Sequence, residues 1–384
     1  MLRDGGFDFV GLGECEGAMV ELAERLEAGG DPSDIANLAF LRDGALVANA
    51  LRPRVDDLDK LPWPDRELWE RAGFDFRELM VMGARGCWFR CDFCMNSYNL
   101  ALYGEEKSSI RRRSPENVVA EIKAARARYG TRFVFFYDDD LTSDGPWLES
   151  FAELYARELR LPFYCHGTNN TLDARKAKIL KDAGCRQLFM GIDSGSPALR
   201  ADVLNRHFTN EDVAEKARIV RAAGIDLQVS AIFGIPGETR AEMRETVEFV
   251  ASIRPAVTAT YVCYPFPGTP ILEAAREAGI LDAGAEARMR AGEGSLHSES
   301  ILRHPLAPVA YACMNLLPAY TKAPAALRPL LMRLMMRGGP SALARLVFLL
   351  AIPLTSPLFG LTRLRALLGQ VRRTAAEALA ERVG

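Results

Sequence analysis

The sequence predicts an α/β fold, a partial (β/α)6 TIM-like barrel over residues 78–285, and three observations predict it. Strand-like apolar runs and helical runs alternate between residues 78 and 270. Six such units follow one another, and units of this size build a parallel sheet that closes or partly closes. The chain, 384 residues long with 49% hydrophobic side chains, can also bury a large core. No sequence repeat beyond the alternation itself is evident.

Taken in order, residues 1–52 read as a fragment of something larger. Phe7-Asp8-Phe9-Val10-Gly11-Leu12-Gly13-Glu14 looks like a strand entering a glycine turn. A helical pattern over Met19, Leu22 and Leu26 then stops at Gly29-Gly30. Residues 36–41 and 45–49 flank Arg42-Asp43-Gly44 as a hairpin. So short a segment is expected to lack a core of its own and to dock on the main domain. Residues 53–77 form a linker, pinned by Leu61-Pro62-Trp63-Pro64-Asp65 rather than floppy.

In the barrel the candidate strands are 79–84, 133–137, 162–166, 187–191, 227–233 and 259–264, with helices over 115–129, 147–159, 174–183, 210–223 and 240–253. Ser114-Pro115 opens the first helix with a cap and a proline at its first position. In such a barrel the functional side chains collect at the C-terminal ends of the strands. Residues 286–384 are expected to be helical and basic. No Asp or Glu occurs from 321 to 376, while Lys322, Arg328, Arg333, Arg337, Arg345, Arg363, Arg365, Arg372 and Arg373 supply nine positive charges. The apolar stretch 346–362 within it is too short for a spanning helix and holds Pro353 and Pro357. Two readings follow for this tail: a helical layer packed on the barrel, or peripheral membrane contact through residues 322–373.

A net charge of −2 gives no reason to expect nucleic acid. Eight cysteines without a signal-peptide core at Met1-Leu2-Arg3 point to a reducing, cytoplasmic compartment, with membrane association left to the tail. Three of those cysteines fall in Gly86-Cys87-Trp88-Phe89-Arg90-Cys91-Asp92-Phe93-Cys94, directly after the first predicted strand. Thiolates at that spacing converge on one metal centre from a single loop. An iron–sulfur cube takes four cysteines, so Cys87, Cys91 and Cys94 would leave one iron open. The alternatives are a zinc site completed by a distant ligand, though zinc sites usually show paired spacings, or unrelated thiols.

The C-x3-C-x2-C spacing with Phe93 before the last cysteine resembles the signature of the radical S-adenosylmethionine (SAM) superfamily. That resemblance implies a [4Fe-4S] cluster whose open iron is chelated by SAM, and reductive cleavage to methionine and a 5′-deoxyadenosyl radical. It implies further cofactor contacts. Phe93 would pack near the adenine. Asp138, Asp139 and Asp140 sit in Tyr137-Asp138-Asp139-Asp140-Leu141-Thr142, which resembles a "DD-x-F-T" strand end; the other reading is a solvated acidic turn. Asp193 and Ser194 belong to Gly191-Ile192-Asp193-Ser194-Gly195-Ser196, which resembles "G-I-E-S-G-S" with Asp for the family's Glu, leaving Ser194 as the ribose candidate. Gly234, Ile235, Pro236 and Gly237 resemble "G-x-P-G-E-T", readable equally as an adenosine cradle or as a plain turn. His166, Asn169, Asn170 and Cys263 are further candidates at strand ends, read as polar rim or small buried residues.

These motifs resemble the branch whose barrel follows an N-terminal, Rossmann-like cobalamin-binding domain. Gly11-Leu12-Gly13-Glu14 and Leu58-Asp59-Lys60-Leu61-Pro62-Trp63-Pro64 resemble that domain's last turn and exit. Residues 1–52 are then expected to be its truncated remnant. The sequence has no D-x-H-x-x-G cobalt-ligand motif, and its first histidine is His166, which counts against cobalamin in this chain alone. The implied activity is functionalisation of an unactivated carbon, by methyl transfer in the first reading. A cobalamin-independent mutase, cyclase or dehydrogenase is the second reading, and an iron–sulfur electron carrier or sensor is the non-enzyme one. Implied partners are a small-molecule or lipid-like substrate and a low-potential electron donor such as flavodoxin or ferredoxin.

Overall fold

Five outer helices begin on side chains that close their own first turn. Ser114, Asp144, Asp173, Thr209 and Thr239 each accept a hydrogen bond from a first-turn N–H of α1 (Pro115–Tyr129), α2 (Gly145–Glu158), α3 (Ala174–Ala183), α4 (Asn210–Ala222) and α5 (Arg240–Ser252). Thr209 and Thr239 form full capping boxes with Asp212 and Glu242. Each such cap is worth about 1 kcal/mol. The short-range sequence therefore fixes where each helix enters.

The computed structural model describes residues 2, 6–104, 110–297 and 299–338. Between the helices run β1 (Glu78–Val81), β2 (Phe133–Phe136), β3 (Phe163–Gly167), β4 (Cys185–Asp193), β5 (Asp226–Phe233) and β6 (Val257–Val262). They pair in sequence order, every pair parallel. Among the described residues β6 and β1 do not pair, so the barrel stays open on one side, as the six predicted units implied.

Alternation along each strand divides the sheet into two faces. Leu79, Val81, Val134, Phe136, Leu188, Met190, Val229 and Phe233 are buried against the helices, in one core with Ile122, Phe151, Leu180, Val220 and Val247. The other face is concave. There Met80 is 62% exposed, and rings follow one another along the strands: Phe135–Tyr164 at 5.7 Å, Tyr164–His166 at 5.3 Å and His166–Phe189 at 5.0 Å.

Several boundaries differ from the sequence expectation. The first strand ends at Val81 rather than at residue 84, because the chain turns at Gly83, whose N–H donates to Asp138 Oδ2 at 3.0 Å. Residues 84–85 instead pair antiparallel with Arg111–Arg112. The fourth strand runs longer than expected and carries a register shift opposite Ser230/Ala231, a bulge that turns Asp193 to φ +68. The sixth strand starts and stops two residues early, since Cys263 N–H already bonds the end of β5 at Phe233 O.

The N-terminal segment forms an antiparallel sheet of Phe9–Gly11, Leu38–Arg42 and Ala45–Ala48, with the helix Glu16–Glu27. It buries a small core of its own, Ala18, Leu22, Ile35 and Leu38, which corrects the expectation that it has none. It also docks: Arg111 Nη2 lies 2.5 Å from Glu14 Oε1, and Arg85 pairs with Glu16. Residues 53–77 are tied to α1, with Arg66 Nη2 2.5 Å from the buried Glu121 and Trp63 Nε1 donating to Asn117 Oδ1 at 3.0 Å. After the barrel, α6 (Ala307–Lys322) lays Val309, Cys313, Leu316 and Leu317 into the main core against β5, β6 and α5. Then α7 (Arg328–Arg337) packs on α6 through Met332 and Met335. The rest of the expected basic tail, residues 339–373, lies outside the described residues.

Gly195 is where the β4 end and α5 meet. A Cβ there would stand 2.5 Å from Thr246 Cα and 2.9 Å from Glu245 O, both backbone. Gly195→Ala should therefore destabilise the protein by about 1–3 kcal/mol, since helix backbone cannot give way as a side chain can. Chemical denaturation checks this; an unchanged midpoint would show that α5 is not seated on Gly195.

Candidate active site at the cysteine loop

The loop that follows β1 is clamped from three sides. Gly86 (φ +96) turns the chain out of Arg85. Asp92 N–H donates to Leu204 O at 3.2 Å, and Asp92 O accepts from Ile271 N–H at 3.0 Å. Asn205 Nδ2 donates to Arg90 O at 3.0 Å, and Ser97 Oγ to Cys91 O at 2.8 Å. Cys94 then caps the helix Met95–Leu102.

Held this way, Cys87, Cys91 and Cys94 open onto one cavity of about 500 Å³ at the C-terminal ends of the strands. Cys91 is buried and the other two are half-buried. Burial pushes the Cys87 thiol up to about 12 and Cys91 to about 11, so bare thiolates would be costly there. A metal centre reverses that cost by supplying positive charge. Among the described residues no three His, Cys, Asp or Glu side chains gather closely enough to share one metal ion. A zinc ion needs that convergence, whereas a cube takes one sulfur per iron. Three thiols of one loop facing one cavity fit a four-iron cluster with one open iron.

Of the residues named from sequence, Phe93, Asp139 and Asp193 share this cavity with the cysteines, together with His166 and Cys263. The Asp139 carboxyl is held above its usual range by burial, against a hydrogen bond from Asn96. Asp193, re-aimed by the bulge, accepts from Ser230 Oγ at 2.8 Å and pairs with Arg206 Nη1 at 3.0 Å. His166 bonds Tyr164 Oη at 3.0 Å, and burial brings its imidazolium down to about 4, so at neutral pH it is an uncharged ring.

The remaining named residues, Asn170 apart, stand behind the cavity wall. Asp138 is fully buried, accepts from Gly83 N–H, and is pushed up to about 6 by burial. Asp140 accepts from Thr142 N–H at 2.8 Å, Thr142 Oγ1 at 2.7 Å and Thr171 Oγ1 at 2.7 Å, knitting the turn after β2. Ser194 Oγ contacts Thr246 Oγ1 at 3.3 Å and accepts from Ser196 N–H at 3.1 Å. Gly234 and Ile235 donate their N–H groups to Glu238 Oε2 at 2.6 and 3.2 Å, and Ile235 packs into a second hydrophobic cluster. Asn169 Nδ2 donates to Gly191 O at 3.3 Å, and Asn170 is exposed.

Arg206 is the residue that sequence reading missed. Its Nη2 donates to Gly191 O at 2.9 Å, its Nη1 lies 3.9 Å from Cys91 Sγ, and its guanidinium covers the Phe208 ring at 5.1 Å. No local pattern marks it; only the fold returns it to the cysteine loop. A second cavity, of about 440 Å³, lies between the N-terminal segment and the same loop, lined by Glu14, Cys15, Arg54 and Tyr103 and sharing Cys87 and Asp139 with the first.

Residues 81–250 match the family model of the radical SAM superfamily. An uncharacterized methyltransferase of Pyrococcus horikoshii is 27% identical over 272 residues, 69% of this chain and 57% of that protein. The anaerobic magnesium-protoporphyrin IX monomethyl ester cyclase of Cereibacter sphaeroides is 26% identical over 283 residues, 70% of this chain and 45% of that one. The chain thus spans about half the length of these curated relatives. Among solved structures, the cobalamin-dependent radical enzyme OxsB, with aqua-cobalamin and S-adenosylmethionine bound, superposes with a TM-score of 0.60 at 15% identity, over 96% of this chain and 59% of that one.

The turn after β5 carries its own electrostatic signature. Burial pushes Glu238 up to about 8, although two backbone N–H groups on Oε2 oppose the rise. Its unfolded pKa is lower, so the unfolded chain releases this proton first and stability falls as pH rises through about 8. Glu238→Gln keeps an acceptor for the two N–H groups and removes the titration. Its denaturation midpoint should gain on that of the wild type as pH rises from about 5 to about 8. A difference independent of pH would mean that Glu238 is charged in the fold throughout.

Proposed function

As this chain belongs to the radical SAM superfamily, we propose that it cleaves S-adenosylmethionine reductively to functionalise an unactivated carbon of a small molecule, by methyl transfer. The single observation that carries the reading is the clamped three-thiol loop on a cavity at the strand ends. A [4Fe-4S] cluster bound there, with SAM on its open iron, supplies one-electron cleavage of the sulfonium bond and a carbon-centred oxidant. A flavodoxin or ferredoxin in a reducing cytoplasmic compartment is the fitting electron donor.

The chain's own side chains bind, orient and exclude water. Cys87, Cys91 and Cys94 hold the cluster. Arg206, fixed by Asp193 and Gly191 O, presents a guanidinium beside Cys91, suited to a carboxylate such as that of SAM. Asp139 faces the same space and can accept from an ammonium group. Phe93 offers a face to the adenine. Asp138, Asp140, Ser194 and the turn Gly234, Ile235, Pro236 and Gly237 act from behind, by holding the strand ends in place. Phe189, Ile232, Tyr261 and Phe266 close the far side of the cavity with apolar surface and keep water from a reactive carbon centre.

Methyl transfer is favoured by the docking of the N-terminal segment on the ribbon beside the cysteine loop, with a cavity between segment and loop that reaches Cys87. A methyl carrier such as cobalamin, held on that side, would adjoin the cluster. The second reading, a cobalamin-independent mutase, cyclase or dehydrogenase, draws on the lack of a D-x-H-x-x-G motif. An absorbance titration with hydroxocobalamin separates them: saturable binding supports methyl transfer, and its failure supports the second reading.

After anaerobic reconstitution and dithionite reduction, the protein should release 5′-deoxyadenosine from SAM, and Cys91→Ala should lose both its iron and this product. A protein that takes up no iron would overturn the reading. Arg206→Gln should keep the iron but bind SAM roughly 10–100-fold more weakly by equilibrium dialysis, the loss of one charge-assisted hydrogen-bonding group. An unchanged dissociation constant would place the SAM carboxylate elsewhere.

A further inference from the structure

The exposed side of α7 is both apolar and basic. From its N-cap Leu327 outward, Leu327, Leu330, Arg333 and Arg337 recur at steps of three and four and share one helical face. Leu327 is 51% exposed and Leu330 53%, while Met332 and Met335 on the opposite side are buried and seat the helix on the barrel. Beside this face runs a groove of about 570 Å³ between α5 and α7. It is lined by Arg240, Arg244, Arg328, Arg333 and Arg337, and its acid, Glu248, is paired with Arg244 at 2.8 Å. Arg240 donates to Met336 O, so the two helices present their charges as one unit. In the sequence no acidic residue follows until Glu377.

We infer that the α5–α7 face docks the protein on an anionic phospholipid surface. A bare polyanion such as nucleic acid would use the arginines and leave Leu327 and Leu330 in water. A lipid interface takes both, with leucines entering the acyl boundary and long basic side chains reaching up to the headgroup phosphates. No helix among the described residues is long and apolar enough to cross a membrane. Seated there, the protein would meet an apolar substrate in the phase where it dissolves. The inference does not depend on the reaction proposed above.

Cosedimentation of the full chain with phosphatidylcholine vesicles, with and without phosphatidylglycerol, tests this. Binding should require the anionic lipid and weaken as salt is raised. Arg333→Gln with Arg337→Gln should weaken it roughly fivefold per arginine, about 25-fold together. Leu327→Gln with Leu330→Gln should also weaken it while leaving the salt dependence in place. Circular dichroism and the cluster absorbance verify that both variants fold. Absence of vesicle binding overturns the inference. So does equal binding to neutral vesicles, or binding unchanged in the arginine variant, which would put the contact elsewhere in the chain. A single-stranded oligonucleotide that displaces the protein from vesicles would assign the face to nucleic acid instead.

Discussion

An open barrel has a structural liability: its two edge strands do not support one another, and here the cysteine loop supplies the missing tie. The Asp92 N–H donates to Leu204 O on one side and the Asp92 carbonyl accepts from Ile271 N–H on the other, joining the loop after β1 to the segments that follow β4 and β6. β1 and β6 are the two edges of the open sheet and β4 lies inside it, so the loop ties one edge both to the middle and to the other edge. The loop that must hold three thiols at fixed mutual positions is therefore also the brace across the strand ends. Rigidity of the site and closure of the fold are one constraint, and a cluster bound to the thiols would reinforce both.

The sheet's two faces then carry different duties. Its convex side is the continuous hydrophobic core, where Leu79, Phe136, Met190 and Val229 meet the outer helices and where burial of apolar area supplies most of the stability. Its concave side is only partly filled, and it carries the aromatic row that ends in His166 and Phe189 beside the cysteines. Near the loop Arg206 pairs with Asp193, and Asp139 accepts a hydrogen bond from the Asn96 amide. The arrangement keeps charge at the cofactor end and leaves the far end apolar.

Much of this was legible in the sequence, and the failures have physical causes. The alternation, the cap at Ser114 and the cysteine spacing all encode local geometry, which neighbouring residues determine. The acidic run Asp138, Asp139 and Asp140 shows where local reading stops. Successive side chains at a strand end point to opposite sides, so Asp139 enters the cavity while Asp138 and Asp140 turn back to Gly83 and Thr142. Three adjacent carboxylates give no hint of which is which until the register is known. Asp193 reaches the cavity through a bulge that no residue preference announces, and the same bend leaves Ser194 packed against Thr246. Arg206 was invisible because its partner Cys91 lies far off in sequence.

The two cavities at the cysteine loop bear on how a second reactant could arrive. Cys87 and Asp139 line both, so the loop has one side toward the barrel interior and another toward the N-terminal segment. That segment is fixed there by two carboxylates, Glu14 and Glu16, gripped by Arg111 and Arg85 of the short ribbon that springs from the end of β1. The ribbon exists because the chain turns at Gly83 instead of continuing the strand. One departure from regular geometry thus ends β1, aims the cysteine loop and builds the platform on which the N-terminal segment sits. A group delivered from that side would approach Cys87 directly, while a substrate in the barrel approaches past Phe189 and Tyr261. The two routes would meet at Cys87 and Asp139, the wall that both cavities share.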